Sequence, residues 1–127
     1  MKSFRSLCAA AILCAAGMTV SAHAADLLRH VVCIKFKEGT KPEDIKKVEE
    51  AFYNLKNKVS DYVLSLEWGT NVSRENKDKG FTHCFVLTFA SEKDLKSYIA
   101  HPDHKAFGAV LGPVMDDVFV FDFHRKE

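Results

Sequence analysis

The chain has 127 residues, with 18 Lys+Arg against 17 Asp+Glu, 47% hydrophobic and 28% charged residues. Those proportions exclude a disordered or fibrous chain and fit a single folded domain. A formal net charge of +1 gives no broad basic field, so no nucleic-acid partner is expected.

Lys2 and Arg5 precede an uncharged apolar run from Leu7 to Val20, and Ser21-Ala22-His23-Ala24 follows it. A basic start, a short apolar middle and an Ala-x-Ala end are the parts of a signal peptide, residues 1–24, with the mature domain over residues 25–127. The expectation is a secreted or periplasmic protein. The run is shorter than the roughly 20 residues of a spanning helix, so no membrane span is expected. Cys14 lies inside the run, but Leu13 stands before it where a lipidation signal has a small residue. After cleavage only Cys33 and Cys84 remain, without Cys-x-x-Cys spacing, which speaks against a disulfide scaffold, a zinc site or a thioredoxin-type pair. They are either two small buried side chains or a single bridge.

His30 to Phe36 alternates, with His30, Val32, Ile34 and Phe36 on one face and Val31, Cys33 and Lys35 on the other, which predicts a strand ended by Gly39. Thr40-Lys-Pro-Glu43 has the pattern of a capping box with Pro in the first turn, and Ile45, Val48, Phe52, Leu55 and Val59 then form one helical apolar stripe. Val63 to Trp68 predicts a second strand, with Leu64, Leu66 and Trp68 on one face, and the polar stretch from Gly69 to Gly80 a solvated loop. Phe81 to Phe89 predicts a long strand with His83, Phe85, Leu87 and Phe89 on one face. Ser91-Glu-Lys-Asp94 caps a helix with Leu95, Tyr98 and Ile99 inward, interrupted at Pro102. A short helix from Pro102 to about Leu111 and a strand from Val118 to Phe123 complete the chain.

The order β-α-β-β-α-α-β describes an α+β, ferredoxin-like subunit in which helices cover one face of a four-stranded antiparallel sheet. The other face would expose Val31, Cys33, Val86 and either Val118/Val120 or Phe119/Phe121, too much apolar surface for a monomer. A homodimer is expected.

Five segments in order carry a family resemblance: Leu28-Arg-His30-Val-Val-Cys-Ile-Lys-Phe-Lys37, Trp68-Gly69-x-Asn71-Val-Ser73, Lys79-Gly80-Phe-Thr82-His83, Tyr98-Ile-Ala-His101-Pro102-Asp-His104 and Val120-Phe121-Asp122-Phe. Together they resemble the stress-responsive dimeric A/B barrel domain over residues 27 to 124. The resemblance implies a dimeric α+β barrel in which the sheets of two copies face each other with helices outside. The family is functionally mixed, and one plant branch resembles olivetolic acid cyclase, which closes a polyketide ring by intramolecular aldol condensation. By that resemblance Tyr98 and His104 take the catalytic positions, and His30 and His83 match two further pocket histidines. Met115 stands where the cyclase branch implies a large aromatic.

On the residues themselves, His30 and His83 lie on neighbouring strands and face the helices, where Tyr98 and His104 could join them around one small-molecule pocket. Ile34, Phe52, Phe85, Leu87, Phe107 and Met115 would supply its walls or simply the core. In a catalytic reading His104 is the general base next to a carbonyl, Tyr98 donates to the developing oxyanion, and His30 and His83 orient. No carboxylate stands at ligand-like spacing from His30, His83, His101 or His104, so neither a metal nor another cofactor is expected. Two functions remain open: a dimeric barrel that binds a small apolar or carbonyl-containing molecule without turnover, and a small cyclase, lyase or isomerase using Tyr98 and His104.

Overall fold

The structure is a computed structural model that describes residues 27–126, so the expected signal peptide lies outside it. The elements run β1 (Leu28–Phe36), α1 (Pro42–Lys58), β2 (Val63–Thr70), β3 (His83–Phe89), α2 (Glu92–Ala100), α3 (Pro102–Leu111) and β4 (Met115–His124). The four strands form one antiparallel sheet in the order β2-β3-β1-β4, as the ferredoxin-like reading requires.

Helix α1 buries Val48, Phe52 and Leu55, three members of the expected stripe, and Val59 closes the helix end equally buried. Phe52 stacks on Phe85 of β3 with ring centroids 3.9 Å apart and meets the edge of Phe107 from α3 at 4.7 Å. These rings, with Ile34, Leu87, Phe89, Leu95 and Tyr98, fill the layer between sheet and helices. The Pro102 break falls where its ring demands: α2 stops at Ala100, His101 is extended, and its Nδ1 accepts from the Asp103 backbone N–H to start α3.

Some local expectations fail for identifiable reasons. Thr40 does not cap α1, because its hydroxyl donates instead to the Lys37 carbonyl at 2.6 Å and closes the turn after Gly39. Lys41 is the N-cap, with no side-chain bond, and the fixed φ of Pro42 begins the helix. In β2 the pairing register shifts between Val63 and Ser65, so Val63 is buried and Leu64 turns outward. Ile99 is half exposed, since Leu95 and Tyr98 alone carry the buried side of α2. Strand β3 begins at His83, two residues late, and β4 extends from Met115 to His124.

The register also settles which face of β4 joins the open side of the sheet. Val31 pairs with Phe121 and Cys33 with Phe119, so Phe119, Phe121 and Phe123 share the uncovered face with Val31, Cys33 and Val86. Phe121 is 54% exposed. Three aromatic rings in a row, stacked or tilted about 6 Å apart, make an apolar ridge along the edge strand. Among the described residues no helix is long and apolar enough to cross a membrane.

Candidate functional site

Pleating puts His30, Ile34, His83, Phe85 and Leu87 on the helix-covered face, and all five are buried. His30 lies opposite Leu87 in the β1–β3 pair, whereas His83 lies opposite Ile34. Four residues of strand separate the two histidines, about 13 Å at 3.3 Å per residue, which places them in different neighbourhoods.

Of the four groups expected around one pocket, His30, Tyr98 and His104 adjoin one another, and His83 does not. The His30 ring meets the edge of Tyr98 at 5.9 Å and of Phe89 at 6.1 Å, and Tyr98 in turn meets His104 at 4.6 Å. His30 Nδ1–H donates to Oδ1 of Asp122, its direct partner on β4, at 2.5 Å. The result is a file of groups running from half-exposed His104 through buried Tyr98 and His30 to the half-exposed carboxylate of Asp122. Burial pushes the Tyr98 phenol far above its usual range, so it remains a proton donor at any physiological pH. Burial also lowers the His104 pKa; a hydrogen bond to the Ile99 backbone opposes this and the neighbouring His30 adds to it. At neutral pH His104 is therefore an uncharged imidazole able to accept a proton.

His83 belongs to a second cluster. Its Nε2–H donates to Glu49 of α1 at 2.9 Å, which fixes the tautomer and leaves Nδ1 to accept from the Thr82 hydroxyl at 2.7 Å. Trp68 lies nearly parallel to the rings of His83, at 6.3 Å, and Phe85, at 5.3 Å, and the Phe36 edge meets His83 at 5.1 Å. His83, Thr82 and Trp68 line a cleft of about 700 Å³ that continues onto the open sheet face through Cys33, Cys84, Val86 and Phe119. A smaller cleft of about 260 Å³ lies between α1 and Trp68, beside Lys46, Glu49, Glu50 and Tyr53.

Ile34, Phe52, Phe85, Leu87 and Phe107 are tightly packed core, and Met115 is half-buried against that core at the start of β4. Sequence reasoning passed over Asp122 and Glu49, the carboxylates that hold the two histidines. Asp122 was recognisable as the lone acid within the apolar run Val118–Phe123, while Glu49 on a charged helix face gave no signal. Among the described residues no group of three or more His, Cys, Asp or Glu is placed to hold a metal ion.

The comparisons with known proteins fit this architecture. The chain is 36% identical over 96 residues to the stress-response A/B barrel domain-containing protein HS1 of Arabidopsis thaliana, covering 76% of this chain and 87% of that protein. It is 29% identical over 100 residues to olivetolic acid cyclase of Cannabis sativa, covering 79% and 98% respectively. The crystal structure of At3g17210 from Arabidopsis thaliana superposes with a TM-score of 0.73 at 35% identity, covering 79% of this chain and 96% of that one. More distant structures, at 19% to 22% identity and TM-scores of 0.64 to 0.68, share the fold and are described as dimeric proteins. A model of the stress responsive A/B barrel domain matches residues 28–125, and the chain belongs to that family.

Proposed function

We propose that this chain is an exported, homodimeric A/B barrel subunit that binds a small apolar or carbonyl-containing molecule at the Tyr98–His104–His30 cluster. One observation carries the reading: a half-exposed imidazole, kept neutral by burial, touches a phenol that stays protonated, with a carboxylate-held imidazole behind it. Such a file gives a carbonyl oxygen a donor and gives an adjacent C–H a proton acceptor, from groups already oriented by their own contacts. The ligand approaches from the half-exposed His104 edge. The apolar open face and the dimeric relatives support pairing of two copies, and the basic-apolar-Ala-x-Ala start supports export.

The protonation states favour a second reading, turnover. His104 removes a proton beside the carbonyl, Tyr98 donates to the oxygen as negative charge grows there, and His30, anchored by Asp122, positions Tyr98. The likeness to olivetolic acid cyclase supports this chemistry, a cyclisation, lyase or isomerase step on a carbonyl compound. Cyclohexanone in heavy water tests both readings. Binding predicts shifts of the His104 and His30 ring resonances that saturate with ketone. Turnover predicts exchange of the ring protons beside the carbonyl for deuterium, falling about a hundredfold or more in His104→Ala. Saturable shifts without exchange leave binding alone, and no response at all defeats the site.

A further inference from the structure

Arg29 of β1 lies opposite Thr88 of β3 and Phe123 of β4, and its chain neighbours Leu28 and His30 are buried beneath the helices, so its side chain turns to the open face. Its Nη1 is buried there with no hydrogen-bond partner. Glu67 of β2 faces the same way, since it pairs with Val86, the partner of Val31. Glu67 is exposed, and among the described residues its carboxylate has no ionic or hydrogen-bonding partner. The other charged side chains on this side of the sheet are engaged: Lys35 holds Asp116 at 3.2 Å, and Asp117 accepts from the Val118 N–H at 2.8 Å. The rest of the sheet face is uncharged, and Cys33 and Cys84 stand on it as unbridged thiols. Two strands across and two residues along separate Arg29 from Glu67, about 12 Å between Cα atoms, and the two do not meet within one copy. One unpaired cation and one unpaired anion thus share a face that is otherwise mostly apolar.

We propose that Arg29 of each copy pairs with Glu67 of the partner subunit when two open faces meet, and that these two reciprocal ion pairs fix the alignment of the sheets. The inference rests on the pairing of copies proposed above and adds which groups join them. A two-fold contact brings residue i to residue j and j to i, so one off-axis cation and one off-axis anion satisfy each other twice. Closing the face withdraws the remaining water from the guanidinium, and an enclosed guanidinium without an anion would oppose the contact. Among the described residues, Glu67 is the carboxylate of this face that is free to answer it. Apolar sheets alone can slide or turn against each other at small cost. Opposite charges favour one alignment, and the alignments that bring like charges together are penalised. The ridge of Phe119, Phe121 and Phe123 supplies buried area, and the charge pair selects how two ridges are laid together.

Sedimentation over a dilution series tests the pair in the wild type, Arg29→Glu, Glu67→Arg and the double reversal. Each single reversal sets like charges together twice in its homodimer and should raise the dimer dissociation constant about a hundredfold or more. The double reversal should regain the dimer. A mixture of the two single variants, one of them isotope-labelled, should give the heterodimer in native mass spectra, because both of its contacts then join opposite charges. Where a reversal fails to fold, Arg29→Met and Glu67→Gln take its place, and their mixture should hold the heterodimer in excess of random pairing. Single variants that dimerise like a dimeric wild type would overturn the proposal and leave the pairing of copies intact. Recovery in the double reversal but not in the mixture would place the ion pair within one copy and overturn it equally. A monomeric wild type would remove the pairing of copies itself, and the proposal with it.

Discussion

His30 and Asp122 bond side chain to side chain between two strands already paired in their backbones, with the imidazole 5% exposed and the carboxylate at the rim. The bond fastens edge strand β4 to central strand β1 on the face where Val118 and Val120 of β4 remain exposed. Asp122→Ala leaves a buried N–H without its acceptor and should cost about 1–2 kcal/mol, with Asp122→Asn costing less because its amide oxygen still accepts. Urea unfolding of the two variants measures the difference, and equal losses would contradict a specific bond.

The lowered pKa of His104 has a defined sign in stability. The folded protein binds that proton less readily than the unfolded chain, so its neutral form favours folding at pH above 6.5, and the advantage is lost as pH falls through the folded pKa. His104→Gln should therefore flatten the decline in melting temperature on acidification below pH 6.5. A ring resonance of His104 titrating below that value confirms the direction.

Replacing His104 by Ala takes a half-exposed group from the helix surface and should cost roughly 1 kcal/mol or less. Phe52→Ala, by contrast, removes a ring held between Phe85 and Phe107 and should cost about 3–5 kcal/mol. Thermal denaturation of both should separate them clearly. A His104→Ala loss as large as that of Phe52→Ala would mean that His104 serves the core.

Phe121 stands mid-ridge on the open sheet face, between Phe119 and Phe123. Phe121→Arg should place an unpaired charge in the contact between copies and convert a dimer to monomers without unfolding either. Light scattering should return twice the chain mass for the wild type and once for the variant; a monomeric wild type at micromolar concentration would rule out the barrel.

Export predicts that the mature protein begins at Ala25, which intact-mass spectrometry of material released from the producing cells checks directly. Retention of residues 1–24 would remove the argument for an extracytoplasmic location.

The fold was legible because its strands and helices announce themselves by period: β1 alternates at two, α1 repeats at three and four, and Pro102 must end one helix while it can begin the next. The β2 register shift was not legible, since Leu64, Leu66 and Trp68 alternate faultlessly and only pairing with β3 reveals that Leu64 is displaced. Within the site, sequence distinguishes faces but not positions along a strand. It rightly turned His30 and His83 toward the helices, yet the distance between them follows from strand stagger, which no single strand encodes. The carboxylate partners depend on register as well: Asp122 reaches His30 because β4 places it directly opposite.

Central strand β1 divides its chemistry between two compartments, His30 and Ile34 toward the helices, Val31 and Cys33 toward the open side. One residue inserted or deleted near its middle would exchange those compartments for half of the strand, driving an imidazole out of its carboxylate's reach and a thiol into the core. The segment after β2 has no such constraint: from Asn71 to Gly80 it is exposed and closed on itself by the Asn71 and Asp78 side chains. Changes in chain length are thus tolerable beside the cleft and forbidden beneath it, so the size of the cleft mouth can vary while the groups on either side of the sheet keep their places.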